Sequence, residues 1–149
     1  MIRKIALLAV TTLLLMGCND LFDTGDVEGE LDMDPQVELK PLSNQTDLAD
    51  GGTEVAVQLI AEQRSEDLSV EYSIDSESSS AEEGVHYEIE TPSPVTIESG
   101  SNTTDIVISY IEDSVPEGEE VQLIINLDGT DADVEPAANL STSTTFISN

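Results

Sequence analysis

The chain is 149 residues long and sets 32 acidic side chains against four Lys or Arg and one His, a formal net charge of −28 at pH 7. That balance excludes nucleic acid as a partner, because phosphates need Lys and Arg to neutralise them, and it excludes adhesion to an anionic membrane surface through protein charge. Self-repulsion on this scale opposes a compact state unless cations screen or occupy it. The acidity therefore reads as specific divalent-cation binding or as a lysine-poor surface suited to a salty medium, and composition alone favours the second.

At the N-terminus, Arg3 and Lys4 precede an apolar run from Ile5 to Met16 that only Thr11 and Thr12 interrupt. The run is too short for a permanent membrane span and has the build of a targeting peptide. Leu15-Met16-Gly17-Cys18 closes it, and Cys18 is the only cysteine in the chain. This arrangement resembles the bacterial lipoprotein box. The resemblance implies that residues 1–17 are a signal peptide, that Cys18 is lipidated, and that the lipid holds the chain in the cell envelope. An outer-membrane lipoprotein, facing the surface or the periplasm, is the expected form. Lipidation leaves no thiol for a disulfide or a thiolate metal site. It also leaves Lys40 and Arg64 as the only cations against 32 acids, a balance of −30. Residues 18–35 then follow as an acidic spacer with Asp20, Asp23, Asp26, Glu28, Glu30, Asp32 and Asp34 and no apolar periodicity, the composition of a flexible linker.

From Gln36 onward apolar and polar residues alternate with period two, the signal of half-buried strands. Val37 and Leu39 mark the first strand. Val55, Val57, Leu59 and Ala61 mark the second, and Leu68, Val70, Tyr72 and Ile74 the third. Val95 and Ile97 form a short fourth, followed by Ile106, Ile108 and Tyr110, then Val121, Leu123, Ile125 and Leu127. Thr142, Thr144 and Phe146 mark the last. Turn residues separate them: Asp50-Gly51-Gly52, Ser76 to Gly84, Ser99-Gly100-Ser101-Asn102, Pro116-Glu117-Gly118 and Asp128-Gly129. The pattern predicts one all-β domain over residues 36–149, a seven-stranded antiparallel immunoglobulin-like β-sandwich whose core is Val, Ile and Leu. Tyr72, Tyr87, Tyr110 and Phe146 belong to that core or its corners, and no Trp is present to stack on sugars.

Within this domain, residues 81–127 carry Ala81-Glu82-Glu83-Gly84-Val85-His86-Tyr87, a strand at Val95-Thr96-Ile97, the turn Glu98-Ser99-Gly100, and a strand ending Tyr110-Ile111-Glu112-Asp113. Spaced glutamates (Glu117, Glu119, Glu120) and an apolar strand follow. This succession resembles the Calx-β domain. The resemblance implies an immunoglobulin-like sandwich and, as in some members, calcium held by carboxylates from loops meeting at one rim. Calcium takes six to eight hard oxygen ligands, which such loops supply from distant positions. The residues it points to are Asp50, Glu112, Asp113 and Glu117, with Glu82 and Glu83 as neighbours. His86 and Ser114 stand where calcium-binding members carry aspartate, which weakens the expected site.

Catalytic readings find little support. His86 is the one histidine, the residue type most used for acid–base work, yet it sits beside Tyr87 at a loop edge with no nucleophile or acid–base set around it. A small hydrolase built on Glu112, Asp113 and His86 is the enzymatic alternative. Phosphate-binding loops and His/Cys zinc sets are absent. The expected role is non-enzymatic: adhesion, interaction or structure, with an extracellular or envelope protein or glycan as partner. An accessory glycan- or protein-binding lipoprotein without metal is the alternative.

Overall fold

Ten strands form two five-stranded sheets in the computed structural model, which describes residues 34–149. The signal segment, Cys18 and all but the last two residues of the acidic spacer lie outside the described residues. In chain order the strands are β1 (Gln36–Lys40), β2 (Ser43–Asp47), β3 (Gly52–Ile60), β4 (Leu68–Ile74) and β5 (Tyr87–Ile89). They continue with β6 (Val95–Ile97), β7 (Thr103–Tyr110), β8 (Glu120–Thr130), β9 (Glu135–Pro136) and β10 (Thr142–Ser148). One sheet runs β5-β7-β3-β1-β9, the other β2-β10-β8-β4-β6.

The alternating aliphatic residues face inward from both sheets. Val37, Leu39, Val55, Val57, Ile106 and Ile108 from one sheet meet Leu68, Val70, Ile97, Leu123 and Ile125 from the other, all essentially sealed from solvent. Full burial of such a side chain contributes roughly 1.5–3 kcal/mol, so this layer offsets the repulsion of the acidic exterior. Tyr72, Tyr87 and Tyr110 are buried as expected, whereas Phe146 is only half-buried.

The all-β sandwich agrees with the sequence reading, but there are ten strands rather than seven. The three additional strands are those without an apolar alternation. β2 reads Ser-Asn-Gln-Thr-Asp, β5 has three residues and β9 two. Nor is the pairing wholly antiparallel, because β2 runs parallel to β10 and β9 parallel to β1. The first parallel pair arises where the chain leaves one sheet for the other at Pro41, so that β1 pairs with β3 and β2 with β10. Two local expectations also change. Asp128-Gly129 is no turn but lies inside β8, where Glu71 faces Gly129 and Tyr72 faces Leu127. Asp128 is the extra residue of a bulge, which a neighbouring glycine accommodates. In β10 the inward residues are Ser143, Thr145 and Ile147, one position out of step with Thr142, Thr144 and Phe146. Threonine and serine fit either face of a strand, so this segment's polarity did not fix its phase.

Candidate functional site

Two places on the sandwich collect polar side chains: a rim of loops and a groove beside β2. The rim contains the residues expected to hold calcium. Its backbone converges by hydrogen bonds between distant segments. The Tyr110 amide donates to Gly51 O at 3.0 Å, the Ile111 amide to His86 O at 3.0 Å, and the Gly118 amide to Asn149 O at 3.0 Å. Asn149 also donates through Nδ2 to Val115 O at 2.5 Å. The turn carrying Asp50, the loop carrying Glu82 to His86 and the loop carrying Glu112 to Glu117 are thereby tied to one another or to the end of β10.

The side chains do not converge in the same way. Asp50 ends a short 3-10 turn (Leu48–Asp50), and its Oδ2 accepts from the Asp47 amide at 3.0 Å and from Thr46 Oγ1 at 3.1 Å. Asp47 returns the arrangement by accepting from the Ala49 amide at 2.8 Å, a reciprocal cap on the turn. Asp113 adopts a left-handed backbone, φ 58°, in the exposed turn after β7, with Glu112 beside it. Glu117 is exposed in the next turn. His86 folds back into its own loop, where Nδ1 accepts from the Glu82 amide at 2.9 Å. Among the described residues no three Asp, Glu, His or Cys side chains are grouped so as to hold a metal ion. The family-derived calcium set of Asp50, Glu112, Asp113 and Glu117 is thus close along the backbone without forming a ligand shell.

Glu83 is exposed, but its charge is felt by two tyrosines. Burial, followed by the charge of Glu83, pushes the Tyr72 hydroxyl up to about 12 and raises that of Tyr87. Tyr72 keeps its proton and donates it to Thr91 O at 2.6 Å. The bond ties the Thr91 segment to β4, and neither tyrosine offers a reactive proton near neutrality.

The groove has a volume of about 640 Å³ and runs along β2, the turn at Asp50 to Gly52, and the paired strands β3 and β7. Asn44 and Thr46 come from β2, Thr53 and Glu54 from β3, Ser109 from β7, and Asp50 from the turn. Asn44 Nδ2 donates to Thr53 Oγ1 at 3.3 Å, which ties the two walls together. Gly52 makes the close pairing of the β3 start with β7 possible, since a Cβ there would collide with the Ile108 carbonyl oxygen. Next to the Thr46, Thr53 and Asp50 side chains lies the hydroxyl of Tyr110, a residue only 8% exposed. That hydroxyl is itself sealed from solvent and makes no well-formed hydrogen bond, although the Thr46 and Thr53 hydroxyls lie beside it. Burial raises its pKa; the threonine hydroxyls oppose the shift and Asp50 adds to it. Sequence reading identified Asp50 here but missed Asn44, Thr46, Thr53 and Ser109. A five-residue polar run between two strand signals was the one available hint.

No protein-family model matches the chain, and no curated protein matches it. Solved structures do. The apo-form Calx CBD1 domain superimposes with a TM-score of 0.63 at 20% identity, over 78% of this chain and 97% of that one. The calcium binding domain CBD12 of CALX1.1 gives 0.62 at 22%, over 76% of this chain and 44% of that one. A candidate carbohydrate binding protein from Bacteroides ovatus gives 0.59 at 13%, over 76% and 37% respectively. The chain therefore spans less than half the length of the last two. At these identities the likeness establishes the fold, which is Calx-β-like.

Proposed function

We propose that this chain is a non-enzymatic interaction module of the bacterial cell envelope, held to the membrane by lipid at Cys18. The observation that carries the interaction role is the build of the sandwich. Its interior is filled by aliphatic side chains, and its polar groups gather at an open groove and a loop rim, a surface that can bind but holds no assembled proton-transfer set. Envelope placement rests on Leu15 to Cys18 and on the acidic spacer that follows. Metabolic labelling with a palmitate analogue tests it. Label on the full chain that disappears in Cys18→Ser supports the anchor, whereas equal labelling of both proteins rejects it.

Calcium at the rim is a second reading. It is favoured by the convergence of the three loops and by the calcium-binding description of CBD12. The scattered carboxylates weigh against a preformed site. Thermal melts in millimolar calcium and in sodium of matched ionic strength separate the two: a calcium-specific rise in Tm supports a site, equal rises mean screening. Glycan binding without metal is a third; its support is the Bacteroides ovatus neighbour, described as a candidate carbohydrate binding protein. Oligosaccharide titrations address it directly, and the absence of any Trp argues against sugar stacking.

A further inference from the structure

The four sheet edges differ in how well they are closed. β5 and β6 have three residues each, and β9 has two, one of them Pro136. β2 has five residues, ends the second sheet and pairs only with β10. It contains no proline or lysine, the usual devices that blunt an edge, and its single charge is Asp47 at the end. Asn44, Gln45 and Thr46, three consecutive residues of β2, line the groove, so the space runs along this strand. An edge strand with one side free beside a groove offers main-chain donors and acceptors to an added strand, with flanking pockets for alternate side chains.

The chemistry of the opposite wall restricts what can enter. Asp50 and Glu54 contribute carboxylates to the groove, and no Lys or Arg lines it. Lys40 is already engaged by Glu38 at 2.6 Å and by Gln58 at 3.0 Å. A second copy of this chain would bring its own charge of −28 and be repelled, which protects β2 from self-pairing. A basic segment would instead be drawn in.

We infer that β2 is a docking edge for an extended, Lys- or Arg-bearing peptide segment of another polypeptide, which adds to the sheet as a strand and fills the groove between β2 and β3. This rests on the interaction reading above and names the partner class and the surface. Strand addition would satisfy free main-chain groups of β2, while Asp50 and Glu54 would face the basic side chains.

The test is amide hydrogen exchange on the full chain with short peptides alternating lysine or arginine with threonine or valine, and with matched peptides carrying glutamate. Basic peptides are expected to slow exchange at residues 43–47, and the acidic ones to leave it unchanged. Glu54→Lys, at an exposed position, should weaken binding about tenfold, and added salt should do the same. Unchanged exchange at 43–47 with every basic peptide, or protection confined to residues 112–117, would overturn the docking edge. So would oligosaccharides protecting 43–47 where the peptides do not; that result would preserve the interaction module and transfer the groove to glycan.

Discussion

The rim and the groove teach opposite lessons about an acidic protein. The rim holds most of the carboxylates that drew notice in the sequence, and its loops are held by long-range backbone bonds, yet its side chains point to separate tasks. Asp50 caps a turn, Glu83 faces tyrosines, and Glu112, Asp113 and Glu117 are exposed. The groove has fewer charges but runs along the free side of an edge strand, facing the paired strands β3 and β7. Charge density alone does not make a site; polar groups left with unmet bonding capacity on a shaped surface do.

Substitutions that break one region should spare the other. The largest effect is expected for Gly52→Ala. Its new Cβ would meet the Ile108 carbonyl and force the groove wall apart, at a cost of about 1–3 kcal/mol in denaturant melts. Next comes Asp47→Ala, which removes the acceptor of the Ala49 amide and one half of the reciprocal cap, about 1 kcal/mol by the same measurement. Glu112→Gln, on the exposed rim, should fall within about 0.5 kcal/mol of the parent. Tyr110→Phe should be similarly small or slightly stabilising, since the buried hydroxyl makes no well-formed hydrogen bond.

The pH response separates the regions once more. Tyr72 is held near 12 when folded, against an ordinary value of 10.0, and Tyr87 and Tyr110 shift the same way. A folded value above the unfolded one means that the native state retains the proton longer. The corresponding stability is complete below the unfolded value and is lost as pH rises from about 10 towards 12. Melts across that window should show the decline, and Tyr72→Phe should flatten it.

Most of the fold was legible in the sequence because its evidence is a burial pattern. Val55-Val57-Leu59 and Leu123-Ile125-Leu127 could only alternate across a half-buried strand, and the structure places all six inside. Legibility failed where burial and polarity part company. Ser143 and Thr145 are buried hydroxyls, so β10 carried no apolar phase, and β2 has no apolar residue to register. The turns of the rim were legible from their glycines and prolines, but that they meet at one end was implied only by the resemblance to the Calx-β domain. Whether carboxylates on those loops share a ligand was not, because that depends on local bonds such as Asp50 to the Asp47 amide. The groove was hidden for a related reason. It is formed by β2 crossing to the second sheet, and no single segment records that crossing.

Residue-resolved NMR of the chain titrated with calcium, then with the basic peptides, tests the contrast between rim and groove most directly. Calcium is expected to give small shifts spread over the rim that sodium of equal ionic strength reproduces, and the peptides saturating shifts along residues 43–54. Saturating calcium shifts confined to Asp50, Glu112, Asp113 and Glu117, with no peptide response at β2, would contradict it.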